Sequence, residues 1–93
     1  MIYHIAIHRP HPDKRHLMLD SMHRFGAAVR QQPGLHEVHT LSDEESGVLI
    51  GFAIWDSKEA LMAARPALRE VVKNDPHAEW EPHPPEVFLL EEA

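Results

Sequence analysis

Residues 48–55 decide the fold, and they read VLIGFAIW. A strand without polar side chains is buried on both faces, which places it in the middle of a sheet rather than at an edge. Directly after it, Asp56 and Glu59 have the spacing of a capping box, in which two side chains satisfy free N–H groups at the start of a helix. The stretch therefore predicts a central strand that leads straight into a helix.

The chain before the central strand first has the period of a strand and then the period of a helix. In residues 2–9 (IYHIAIHR), one face carries Tyr3, Ile5 and Ile7, and the other carries Ile2, His4, Ala6 and His8. Farther along, apolar residues recur at helical spacing at Met18, Met22, Phe25 and Val29. These patterns predict a first strand and an amphipathic helix, which ends at Pro33 and Gly34.

Residues 35–41 (LHEVHTL) predict a second strand, and turn residues 42–47 join it to the central strand as a hairpin. After the central strand, a second helical stripe contains Pro66, which removes one hydrogen bond of a helix. We therefore expect a kink or two short helices, with Arg65 at the bend. Residues 74–86 carry four prolines and predict a loop, and Val87–Leu90 predicts the closing strand.

The resulting order, βαββαβ, is the ferredoxin-like arrangement of an α+β domain with an antiparallel sheet. Its helices cover one face of the sheet and leave the other face open, although the central strand is apolar on both. A chain of 93 residues without cysteine has a thin core and no disulfide to reinforce it. We therefore expect one domain over residues 1–93 that forms a homodimer through the open sheet face.

Charge and hydropathy exclude several kinds of partner. The formal charge is −6, and the nine lysine and arginine residues are spread along the chain, so no basic patch is available for nucleic acid. No run approaches the roughly 18 apolar residues of a membrane span, and residues 1–4 lack the features of a signal peptide. We therefore expect a cytoplasmic protein that binds neither nucleic acid nor membrane.

Nine histidines are the most unusual feature of the composition. His4 and His8 share a strand face, but four residues of extended chain separate them by about 13 Å, too far for one metal ion. His36 and His39 lie an odd number of positions apart and point to opposite faces. No metal site is predicted. The histidines of the loops and of the helix start are expected to be exposed, namely His11, His16, His77 and His83.

Small residues on the central strand leave two interpretations open. Gly51 and Ala53 share a strand face with Trp55, and they either leave an unfilled volume beside the indole or admit a closely packed helix. Alternation alone does not decide whether His4 and His8 lie on the same sheet face as Trp55, because the strand register is unknown.

Three stretches together resemble a known family: residues 33–35 (PGL), residues 54–60 (IWDSKEA) and the short apolar last strand. The chain is similar to the antibiotic biosynthesis monooxygenases, a family of dimeric α/β barrels that includes cofactor-independent oxygenases of polycyclic phenols and haem-degrading monooxygenases. The resemblance implies that two sheets pack face to face into a barrel, with pockets between each sheet and its helices.

The resemblance also separates these two kinds of activity. Haem-degrading members carry an asparagine in the first strand, a tryptophan at the end of the third strand and an axial histidine in the second helix. In place of the asparagine and the histidine, this chain has Ile7 or His8 and Arg65 or Pro66. Of that set only Trp55 matches. We therefore expect no haem degradation and no cofactor.

Two functional hypotheses follow from the resemblance. In the first, the protein is a quinol-type monooxygenase of a small aromatic or phenolic substrate, with His4, His8 or His39 as base and with Trp55 or Arg65 holding the oxyanion. In the second, it is a non-catalytic module for ligand binding or interaction on the same barrel. A cavity with a histidine and a donor favours the enzyme, and a cavity filled by Met22, Phe25 and Phe52 favours the module.

Overall fold

Four strands and three α-helices make up the fold in the computed structural model, which describes residues 1–93. The elements are β1 (Ile2–His8), a 3₁₀ turn (Pro12–Lys14), α1 (Arg15–Val29), β2 (Leu35–Ser42), β3 (Leu49–Trp55), α2 (Lys58–Val72), α3 (His77–Trp80) and β4 (Glu86–Leu90). The strands form one antiparallel sheet in the order β2-β3-β1-β4, with β3 and β1 in its centre. The predicted α+β, ferredoxin-like architecture is confirmed.

The second half of the chain differs from the prediction in three details. Helix α2 runs through Pro66 as one helix of 15 residues, so of the two expected outcomes, a kink or two short helices, the second is wrong. Its N-cap is Ser57, whose hydroxyl accepts a hydrogen bond from the N–H of Ala60, and not Asp56. The segment that was predicted to be a loop contains α3, whose start follows Pro76.

The pairing of β1 with β3 decides which residues face the helices. His4 lies opposite Ala53, Ala6 opposite Gly51, and His8 opposite Leu49. Opposite residues of an antiparallel pair share a face. The two histidines of β1 therefore lie on the same, helix-covered face as Trp55.

Two hydrophobic clusters hold the helices on this face. The larger cluster packs α2 and the end of α1 onto the sheet and consists of Ile2, Val29, Ala53, Trp55, Leu61, Ala64 and Leu68. The smaller packs α3 and the start of α1 around one end of β3 and consists of Met18, Met22, Leu49 and Trp80. Trp55, Met18 and Leu49 are fully buried. Burial of each such side chain contributes about 1.5 to 3 kcal/mol.

The opposite face of the sheet is mostly apolar and carries no helix. The residues that point to it include Tyr3, Ile5, Ile7, Ile50, Phe52, Ile54, Phe88 and Leu90. Phe88 and Leu90 of the edge strand β4 are 44% and 43% exposed, a large exposure for apolar side chains of this size. None of the helices has the length and apolar character required to cross a membrane.

Gly34 joins two of the three sequence stretches that carry the family resemblance, residues 33–35 and residues 54–60. Its φ angle of 87° is in the left-handed region, and its carbonyl accepts a hydrogen bond from the N–H of Asp56 at 2.7 Å. A Cβ atom at this position would lie 2.7 Å from the Cβ of Ala60. The turn before β2 therefore packs backbone against the first turn of α2, and only glycine fits.

We predict that Gly34→Ala destabilises the protein by about 2 to 4 kcal/mol, because the left-handed strain and the overlap with Ala60 act together. Gly47→Ala is the matched control. Its φ angle is 80°, but no atom lies within 4 Å of its Cβ position, so it bears the strain alone, about 1 kcal/mol. Urea unfolding measures both. Equal losses of unfolding free energy would show that the Gly34 contact is unimportant.

Candidate active site

A cavity of about 230 Å³ lies between the helix-covered face of the sheet and helix α1. Its floor is formed by β1 and β3, where Ala6 and Gly51 lie opposite each other and fill little space. The only atom within 4 Å of a Cβ built on Gly51 is the flexible end of Met22, at 3.7 Å. The small residues of β3 therefore leave a cavity between the two hydrophobic clusters instead of admitting a closely packed helix.

Most of the cavity wall is apolar, so the polar groups that reach it are few. Met22, Phe25 and Val29 from α1 line one side without filling the space, and Leu68 and Val72 line it from α2. The polar lining comes from histidines and hydroxyls: His4, His8, Ser21, His39, Thr40 and His77. Such a concave apolar site with a few convergent polar groups is typical of a small-molecule site.

His4 is placed in the cavity wall by the middle of β1. Burial lowers the pKa of His4, and the positive charge of Arg65 lowers it further. Both effects disfavour the imidazolium form. The imidazole of His4 is therefore neutral at pH 7.

His8, at the end of β1, faces a carboxylate that the sequence interpretation missed. Its Nδ1 lies 3.2 Å and 3.4 Å from the two carboxylate oxygens of Glu81. The side chains are 14% and 3% exposed. As a carboxylate Glu81 only accepts, so Nδ1–H of His8 donates to it, and in the neutral form of the imidazole the lone pair is on Nε2. A histidine oriented in this way by a carboxylate has the arrangement of a general base.

Helix α3 brings Glu81 into position. Trp80 is buried in the smaller cluster, and its carbonyl accepts a hydrogen bond of 2.8 Å from the N–H of His11. Glu81 follows directly and is 4% exposed. The packing of one tryptophan thus fixes a carboxylate 73 positions away from the histidine that it contacts.

His77, the first residue of α3, also lines the cavity, contrary to the expectation that it is exposed. Its Nε2 lies 2.9 Å from the hydroxyl oxygen of Ser21, which in turn lies 2.7 Å from Oδ2 of Asp75. Its ring also meets Trp80 edge-on, with ring centroids 5.3 Å apart. Burial lowers the pKa of His77.

Trp55 contributes an unused hydrogen-bond donor. The residue is fully buried at the end of β3 and lines the cavity. Its Nε1 is the only buried side-chain nitrogen or oxygen of the chain without a hydrogen-bond partner. Leaving a buried donor unpaired costs about 1 to 3 kcal/mol.

The other two predicted site residues, His39 and Arg65, do not direct their side chains into the cavity beside His4, His8 and Trp55. The ring of His39 stacks on Phe52 with centroids 6.2 Å apart, and these two residues lie opposite each other on the face away from the helices. His39 therefore contributes to the cavity edge without directing its ring toward His4 and His8. Arg65 is half-buried on α2 and does not line the cavity, although its charge reaches His4.

Glu81, His77, Ser21 and Asp75 were missed because their contacts link α1, β1 and the proline-rich segment, which are distant in sequence. One local signal was available: residues 77–80 read HAEW after a proline, which permits a helical turn with an apolar anchor. No three histidine, aspartate or glutamate side chains converge closely enough to hold a metal ion.

Known structures share this fold with low sequence identity. Rv0793 from Mycobacterium tuberculosis superposes with a TM-score of 0.87 at 21% identity, over 99% of this chain and 94% of that chain. PA3566 from Pseudomonas aeruginosa gives a TM-score of 0.84 at 13% identity, over 99% and 93%. A variant of SnoaB, a cofactor-independent oxygenase from Streptomyces nogalater, gives 0.80 at 15% identity, over 98% and 91%. These similarities establish the fold.

The sequence itself establishes the family. None of the functionally curated proteins compared with the chain shows significant similarity to it. The sequence profile described as Antibiotic biosynthesis monooxygenase, however, matches residues 1–74, which include β1, both long helices and the hairpin of β2 and β3. The predicted resemblance is confirmed, and the chain belongs to the antibiotic biosynthesis monooxygenase family.

Proposed function

We propose that this protein is a cofactor-independent monooxygenase of a small phenolic substrate, which itself supplies the electrons for the reduction of O₂. The observation that carries the proposal is the combination, in one apolar cavity, of the His8–Glu81 pair and the unpartnered donor of Trp55. The fold similarity to SnoaB, a cofactor-independent oxygenase, supports it. The alternative, a binding module without chemistry, gives no role to the His8–Glu81 pair.

The chemistry that we propose needs a base and an oxyanion site and no external reductant. His8 removes a proton from a phenol that carries an activated CH₂ group, and the resulting carbanion adds O₂ to form a C–O bond. Protonation yields a hydroperoxide. Removal of the second proton of the same carbon then breaks the O–O bond and leaves a carbonyl, and the departing hydroxide combines with that proton to give water. One oxygen atom enters the product and the other leaves as water, so O₂ is reduced entirely by the substrate.

The cavity suits each of these steps. Trp55 donates from Nε1 to the developing oxyanion, and such preorganised donors lower the barrier most where water is excluded. Apolar walls from α1 and α2 provide few partners for water. His4 is neutral and adds a hydrogen-bond acceptor beside the aromatic ring of the substrate. Arg65 acts on His4 through its charge rather than by contact with substrate, and His39 takes no part as base.

We also propose that two copies pair through their open sheet faces, as the barrel of the family implies. One chain buries only 14 of its 93 residues, and a whole sheet face of aromatic and branched side chains lies uncovered. Pairing of such faces removes this apolar surface from water. The partner copy then lies on the side of the sheet opposite the cavity.

The catalytic proposal predicts loss of oxygen uptake in two variants. With dithranol, a phenol with an activated CH₂ group, His8→Gln lowers the rate about a hundredfold or more because the base is lost. Trp55→Phe keeps a buried ring but removes the donor, and we expect a loss of about a hundredfold. An oxygen electrode measures uptake, and absorbance measures the product.

His16→Gln is the matched control, because His16 is exposed on α1 and does not line the cavity. It should retain the wild-type rate. Thermal unfolding of every variant checks that the fold is intact. No uptake above the spontaneous oxidation of dithranol and of a panel of other small phenols by the wild-type protein would refute the catalytic proposal and favour the binding module.

The dimer proposal predicts a particle of twice the chain mass of 10.7 kDa in light scattering at micromolar concentration. Phe52→Glu, in the centre of the open face, should yield monomers, because a buried unpaired carboxylate in the interface is strongly unfavourable. Met62→Glu, an exposed apolar position on α2, is the control and should remain dimeric. A wild-type monomer would contradict the proposal.

A further inference from the structure

A chain of hydrogen bonds links α1 to the start of α3 and ends at the cavity. Arg24 donates from Nη2 to Oδ2 of Asp75 at 2.8 Å, and the hydroxyl of Ser21 lies 2.7 Å from the same oxygen. Ser21 is 2% exposed, and its oxygen also lies 2.9 Å from Nε2 of His77. We call Arg24, Asp75, Ser21 and His77 the polar chain.

The direction of each hydrogen bond in the polar chain follows from the charge of Asp75. The hydrogen bond from Ser21 and the guanidinium of Arg24 hold the pKa of Asp75 below its usual range, so its carboxylate only accepts. Ser21 has a single hydroxyl hydrogen, and Asp75 takes it. The contact between Ser21 and His77 then requires a hydrogen from the imidazole, so Nε2 of His77 is the protonated nitrogen.

This assignment leaves Nδ1 of His77 as an acceptor. A neutral imidazole carries one hydrogen, and here it is on Nε2. Nδ1 has no hydrogen-bond partner in the protein, while the ring lines the cavity. Burial lowers the pKa of His77 and so favours its neutral form. The positive charges of Arg24 and of the protonated form of His8 act in the same direction, and the carboxylates of Asp75 and Glu81 act in the opposite one. The cavity thus offers acceptors on the side of α3 and a donor at Trp55.

We propose that Ser21 and Asp75 are positioning residues that hold His77 as a hydrogen-bond acceptor for a ligand hydroxyl. The preferred ligand is therefore an aromatic compound with a hydroxyl group and a separate carbonyl or oxyanion. The hydroxyl donates to Nδ1 of His77. The carbonyl or oxyanion accepts from Nε1 of Trp55. The inference depends on the proposed function in one respect only, namely that this ligand is also the substrate of the oxygenase.

The first test uses the wild-type protein and no ligand. Two-dimensional ¹⁵N NMR of the histidine rings assigns the protonated nitrogen of His77, and we expect Nε2 to carry the hydrogen at neutral pH. In Ser21→Ala, Asp75 faces Nε2 of His77 directly, since 3.9 Å already separate them, so the pKa of His77 should rise. Ser21→Thr, which keeps the hydroxyl, should restore the wild-type value. Protonation of Nδ1 in the neutral wild-type protein would overturn the proposal.

The second test compares two probes that do not react with O₂. Para-hydroxyacetophenone has a hydroxyl and a carbonyl at opposite ends, and para-methoxyacetophenone lacks only the hydroxyl hydrogen. The wild-type protein should bind the first about tenfold more tightly, as one hydrogen bond allows. His77→Phe keeps a ring against Trp80 but no acceptor, and the preference should disappear. Ser21→Ala should weaken the preference, because Ser21 no longer holds the hydrogen of His77 on Nε2 and Nδ1 is then less often an acceptor.

The two proposals fail in different ways. A wild-type protein that binds both probes equally, or a Ser21→Ala variant with unchanged preference and unchanged pKa of His77, would overturn the role of the polar chain. The opposite result is also possible: the protein takes up no oxygen with dithranol but prefers the hydroxyl probe tenfold, and this preference depends on His77. That result would refute the oxygenase and support the ligand class proposed here.

Discussion

The pairing of β1 with β3 is the interaction on which the rest of the structure depends. It sets Ala6 opposite Gly51 and His8 opposite Leu49, and it places both histidines of β1 on the face that the helices cover. A shift of one residue would reverse every side chain of β1. Ile5 and Ile7 would then fill the space over Gly51, and the histidines would point to the uncovered face.

The cavity is the consequence of two small residues between two well-packed ends. At one end Trp55 is surrounded by α2, and at the other end Leu49 is covered by Trp80 and methionines of α1. Between them no large side chain of the central strands fills the layer. The two clusters at either end thus stabilise the fold, and an open volume remains between them. Ligand-binding sites are usually preformed cavities of this kind in a well-packed protein.

The short helix α3 orients two of the imidazoles of this cavity although it is only four residues long. Its position depends on the burial of Trp80 and on the hydrogen bond from His11. Once the helix is anchored, His77 at its start meets Ser21, and Glu81 after its end meets His8. One anchored turn therefore orients two imidazoles, each through a different neighbour, which explains how a loop-like segment can serve a precise geometry.

The sequence by itself determined the elements of this protein and their order, because each depends on contacts between close neighbours along the chain. The alternation of residues 2–9, the apolar run of residues 48–55 and the glycine after Pro33 all report local backbone preferences, and the structure agrees with them. The same local patterns carried the family resemblance and led to His4, His8 and Trp55.

Tertiary structure alone decided the strand register, the opening of a cavity at Gly51 and the outward position of the His39 ring. It also created the contacts of His8 with Glu81 and of Ser21 with His77, since pairs more than 50 positions apart meet only when the whole core has packed.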